Sequence, residues 1–105
     1  MEKYKSLFAR RVDSQLLQHT EFLARVSLSA VKRFRNDFEK VLERLEDNPY
    51  QFPLETDLGL PEGLYHKALF SKRYKVLFSI EDNTVYLDAV VDCRQNRDNF
   101  GSIRN

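Results

Sequence analysis

Between Tyr65 and Cys93 apolar and polar residues alternate along the chain, the period-two spacing that sends successive side chains to opposite faces of a β-strand. Tyr74, Val76, Phe78 and Ile80 are set against Lys75, Leu77 and Ser79. Val85, Leu87, Ala89, Val91 and Cys93 are set against Tyr86, Asp88, Val90, Asp92 and Arg94. The first set of each strand is apolar or aromatic and is assigned to the core, which buries Cys93 as an unreactive thiol. The second set carries charge and faces water or a ligand. Glu81-Asp82-Asn83-Thr84 suits a hairpin turn with a positive φ at Asn83. The stretch therefore predicts three antiparallel strands with one face in need of an apolar cover.

The preceding residues supply that cover. Tyr4–Ala9 alternates as a short strand. Asp13 or Ser14 can then cap a first helix, whose stripe is Leu16, Leu17, Thr20, Leu23 and Ala24. Val26-Ser27-Leu28-Ser29 interrupts it, and either serine can cap the next helix. Val31, Phe34, Phe38, Val41, Leu42 and Leu45 recur at three- and four-residue steps, an apolar face that can lie on a sheet. The opposite side is charged, and Asn48-Pro49 stops the helix. The connection from Pro49 to Gly63 holds enough apolar residues to pack along the surface. The order predicts a small α+β domain: an N-terminal strand, a two-helix hairpin, then a three-stranded antiparallel meander, with the helices on one face of the sheet.

Length and composition narrow the function classes. A chain of 105 residues is one domain with one modest core, and its last residues from about 101 are expected to fray. With 17 basic and 16 acidic side chains the formal net charge is +1, so nucleic-acid binding would rest on a local patch. One cysteine excludes an intramolecular disulfide and a cysteine-based zinc site. Neither a signal-peptide pattern nor a run of transmembrane length is present, which points to a soluble, cytoplasmic protein with no membrane partner.

The element order, the Asn48-Pro49 stop and the phrase KRYKVLFSIEDNTVYLDAVVDCRQNRD resemble the RelE/ParE superfamily of toxins from bacterial type II toxin–antitoxin modules. Tyr74-Lys75 stands as the aromatic–basic pair opening the middle strand, and Arg94 as the basic residue closing the last. The resemblance runs from Tyr4 to about Phe100. It implies a cognate antitoxin that silences the protein and one of two activities, neither using a cofactor or a metal. RelE-like members cut messenger RNA on the ribosome; ParE-like members poison DNA gyrase.

Metal-free RNA cleavage needs a base, a cation and an acid around one phosphate. Matched strand to strand, the polar sheet face would present His66, Lys75 and Arg94. Lys75 and Arg94 would neutralise the phosphate, and His66 would move the proton. Lys67, Lys72, Arg73 and Arg97 are candidate phosphate contacts, and Tyr86 is a stacking surface for a base or one half of an aromatic cross-strand pair. Ion pairs of Lys75 and Arg94 with Asp88 or Asp92 are the competing structural role. Relative to the RelE-like pattern, His66 and Ala68 stand in place of lysines, Lys75 in place of an arginine and Phe100 in place of a tyrosine. Three functions follow: a translation-inhibiting ribonuclease, a gyrase poison without nuclease activity, and a non-toxic interaction domain on the same scaffold. The ribonuclease is favoured only while its three residues share a face.

Overall fold

The structure, a computed structural model, describes residues 3–56 and 59–94. Strand β1 (Lys5–Phe8) leads into helices α1 (Arg10–Ala24) and α2 (Leu28–Asp47), then a 3-10 turn (Pro49–Gln51) and strands β2 (His66–Phe70), β3 (Tyr74–Glu81) and β4 (Thr84–Asp92). They form one sheet in the order β1-β4-β3-β2. The meander pairs are antiparallel, and β1 adds to β4 in parallel. The expected α+β architecture is present, as a mixed sheet. No helix among the described residues is long and apolar enough to cross a membrane.

Helix α2 forms where its pattern places it. The Ser27 hydroxyl accepts the Ala30 amide at 3.1 Å, satisfying one of the amide groups a helix start leaves open. At the other end the Asn48 side chain accepts from the Tyr50 amide and starts the 3-10 turn. Phe34, Phe38, Val41 and Leu45 are buried. Phe34 lies edge-on to Tyr74 at 4.8 Å, and Phe38 and Phe70 sit 5.6 Å apart. Burial of each such side chain contributes roughly 1.5–3 kcal/mol, and this cluster fastens the helix pair to the sheet.

Helix α1 is rotated from the expected stripe. It begins at Arg10 directly after β1, without a side-chain cap from Asp13 or Ser14. Val12 and Leu23 are buried and Leu16 packs against them, whereas Leu17 is 59 % exposed. The polar inner residues Gln15 and His19 explain the rotation. β1 pairs with β4 only as far as Leu87, which leaves the backbone of Val90 uncovered along that edge. The Val90 amide donates to Gln15 Oε1 at 2.8 Å, and His19 Nε2 lies 2.9 Å from the Val90 carbonyl, to which it donates as the Nε2–H tautomer. Gln15→Leu should therefore cost about 1–3 kcal/mol, the penalty of a buried amide without an acceptor. Urea denaturation would measure the loss, and hydrogen exchange would show the Val90 amide opening first.

One irregularity changes which residues share a face. β3 and β4 are in register at Phe78–Leu87, but the next pair is Leu77–Ala89. Asp88 is thus the extra residue of a β-bulge, and a bulge reverses the alternation beyond it. Val85 and Leu87 face the helices as expected. Past the bulge Val90 takes the helix side, while Ala89 and Val91 join Leu77 on the far face as a second small core against Leu60. The apolar assignment of Ala89, Val91 and Cys93 to the helix side is corrected on this ground, and Cys93 is exposed. At the hairpin tip the positive φ belongs to Asp82 at 55°, not to Asn83.

Candidate functional site

The far face of the sheet is covered around Leu77 and Lys75 and exposed at Leu7, Leu69 and Tyr86. The connection after the 3-10 turn folds back along β2. Leu54 bridges His66, the Glu55 amide donates to the Tyr65 carbonyl, and the Lys67 amide donates to the Pro53 carbonyl. This backbone pairing delivers the Glu55 side chain over the sheet. Glu55 and Lys75 are both buried, at 4 % and 7 % exposed, and Lys75 Nζ donates to Glu55 Oε1. Lys67 Nζ lies 3.8 Å from Glu55 Oε2. Lys75 thus pairs with an acid from the connection and not with Asp88 or Asp92. A buried ammonium in this setting is held by its carboxylate, since the charge without a partner would be costly.

The other two members of the expected trio lie elsewhere. His66 pairs with Phe78 across β2 and β3, so it shares the helix side with Phe78. The two rings stack at 5.4 Å with an interplanar angle of 19°. Its Nδ1 is 2.9 Å from the Phe52 carbonyl and carries the proton toward it. Lys75 is an odd number of residues from Phe78 on the same strand, hence on the opposite face and about 10 Å along. Ala68 is on the helix side too, fully buried opposite Val76. Arg94 follows the end of β4 with its side chain 63 % exposed, Nε 3.9 Å from Asp92 Oδ1. His66, Lys75 and Arg94 therefore do not converge on one phosphate-sized space. The face assignment failed because it treated His66 as in phase with Lys75, and the pairing register puts them out of phase.

The remaining candidates scatter as well. Arg73 Nη2 pairs with Asp92 at 3.2 Å on the α1 side, its guanidinium 5.4 Å from the Phe22 ring, while Lys67 is on the far face. Lys72 is exposed in the β2–β3 turn with φ 71°, next to Ser71 at 51°. Tyr86 is 38 % exposed and lies between Ser79 and Leu7, so it has no aromatic cross-strand partner among the described residues. Arg97 and Phe100 lie outside the described residues, as does the segment from about 101.

Sequence reading missed a polar cluster at the bulge. Asp88 accepts from the Tyr65 hydroxyl at 3.0 Å and pairs with Arg11 Nη2 at 3.2 Å. Partial burial, then the contact with Asp88, pushes the Tyr65 phenol above its ordinary value, against the pull of Arg11. Desolvation likewise raises the Cys93 thiol, against attraction by Lys75. The thiol therefore stays protonated and poorly nucleophilic at neutral pH. Glu55 was also missed. Its only local signal is an acid inside an otherwise apolar run, Phe52-Pro53-Leu54-Glu55.

The chain matches no protein-family model and no curated protein sequence. The reading of function accordingly rests on the fold and on where the side chains lie.

Proposed function

We propose that this protein is the toxin of a type II toxin–antitoxin module of the RelE/ParE kind, acting in the cytoplasm by binding its target, as ParE-like gyrase poisons do, and not by cutting RNA. The fold expected from the resemblance supports the first part: a strand, a helix pair and a meander in that order. The observation that carries the second is the separation of His66, Lys75 and Arg94. Lys75 is committed to a buried pair with Glu55, and His66 is turned to the helix side. General acid–base cleavage would need these groups within hydrogen-bond reach of one substrate.

The partner surfaces follow from exposure. Leu16, Leu17, Phe34 and Phe38 line an apolar depression of about 200 Å³ between α1 and α2, a shape suited to the apolar side of an amphipathic antitoxin helix. The test is induced expression with parallel readouts. Growth should stop while messenger RNA stays intact and DNA supercoiling is lost, and His66→Ala and Arg94→Ala should leave toxicity in place. Cleaved transcripts that vanish in His66→Ala would return the ribonuclease reading. Absence of toxicity together with absence of a neighbouring antitoxin gene would leave the non-toxic interaction domain.

A further inference from the structure

The corner where α1 turns into α2 is apolar and exposed. Leu28 at 73 % and Val26 at 68 % are the most exposed large apolar side chains among the described residues, and Phe22 beside them is 50 % exposed. The Arg25 and Val26 amides still donate to the Phe22 and Leu23 carbonyls. Phe22 and Val26 therefore sit one helical turn apart on the same side of the hairpin. The turn itself needs only Ser27, which caps α2, and asks for no apolar residue on either side of it. Apolar side chains grouped at a surface in this way mark a place that another molecule covers.

The charges and the shape next to them say what kind of molecule. A depression of about 200 Å³ lies between the hairpin and the β2–β3 turn, walled by Leu23 and Ala30 and bordered by Arg33, Asp37 and Lys72. The Arg73 guanidinium, 5.4 Å from the Phe22 ring, links the exposed apolar residues to this depression. Arg25, Lys32, Arg33 and Lys72 make no ion pair among the described residues. Glu21 and Asp37 oppose them, and the Arg73 charge is offset by Asp92. The corner thus carries a local excess of positive charge in a chain whose net charge is +1. Lys72 also holds φ at 71° behind Ser71 at 51°, turn positions that favour glycine or asparagine. A nucleic-acid backbone would use the cations but not the aliphatic Val26 and Leu28, and the Phe22 ring is already faced by Arg73. An amphipathic helix with acidic edges uses both kinds of side chain.

We propose that this corner binds an acidic amphipathic helix of a protein partner. The apolar side of that helix covers Phe22, Val26 and Leu28 and enters the depression against Leu23 and Ala30, while its carboxylates meet the surrounding cations. Arg33 and Asp37 lie on the flank of α2 opposite Arg35 and Glu39, which border the proposed antitoxin groove; a separation of two residues is about 200° around a helix. The two surfaces are distinct, and this one requires nothing from the toxin reading.

The probe is a synthetic peptide of about 18 residues, long enough to be partly helical, with leucines at helical spacing and glutamates between them. It is titrated into the full chain by NMR, beside an analogue with glutamine for every glutamate. Expected is a saturable response at Phe22, Val26, Leu28 and Lys72, at least about tenfold weaker for the glutamine analogue. Leu28→Gln should bind about tenfold more weakly, as loss of one covered leucine requires, with thermal stability unchanged. Lys72→Gly removes a cation and suits the positive φ, so it should melt at the same or a higher temperature and still bind more weakly. A response that is absent or not saturable, centred on Leu16 and Leu17, equal for the glutamine analogue, or undiminished in both variants would overturn the proposal. So would a single-stranded oligonucleotide that displaces the peptide and binds far more tightly with a steep salt dependence, because the corner would then be a nucleic-acid surface.

Discussion

Glu55→Leu is expected to destabilise the fold by about 3–5 kcal/mol, because it removes the buried carboxylate to which the Lys75 ammonium donates. A domain of this size has a total stability of roughly 5–15 kcal/mol, so the variant should lose between about a fifth of that stability and all of it, and its denaturation midpoint should fall in proportion. The decisive measurement is a cycle. Removal of both charges in Glu55→Leu/Lys75→Met should recover most of the loss, since a buried pair replaced by apolar groups of similar size is often neutral. A loss under about 1 kcal/mol in Glu55→Leu would mean that Lys75 is solvated. The far face would then be open, and the cation would be available to a substrate phosphate after all. One stability experiment thus bears directly on the functional reading.

Phe34→Ala is expected to be comparably severe, at about 3–5 kcal/mol. Phe34 is 1 % exposed and touches the rings of His19, Phe70 and Tyr74 at 4.8 to 6.0 Å between centroids. Deletion of its ring removes apolar burial and leaves a cavity where α1, α2 and the sheet meet, and the rigid neighbours cannot collapse into it. At roughly 4–8 °C per kcal/mol the melting temperature should fall by more than about 12 °C. Phe34→Leu leaves a smaller void and should lose less. The depression between the helices includes Phe34, so the alanine variant should also weaken binding of the proposed antitoxin. The leucine variant separates the two effects, since it keeps an apolar groove on a folded scaffold.

The candidate residues divide between what local spacing states and what distant partners decide. Lys75 is where the strand pattern puts it, on the far side from the helices, yet its environment is made by a residue of a connection that has no periodicity to read. His66 sits on the expected strand but on the other face. That phase depends on the registration of β2 against β3, which sequence spacing inside β2 does not state. Tyr74 was legible as a core aromatic.

What the sequence determined by itself is local. The stripe of α2, the Ser27 cap, the Asn48-Pro49 stop and the order of elements follow from side chains within one or two turns of each other, where helical and extended periods differ plainly. Only the tertiary structure decided the rotation of α1, set by the need of the Val90 backbone for partners beyond the end of β1. It alone decided the exchange of faces at Asp88, where an extra residue opposite Leu77 and Phe78 reverses the alternation. It also decided the burial of Lys75 under Glu55. Each depends on a partner distant in sequence, and a period counted along one segment carries no information about the segment that will lie against it.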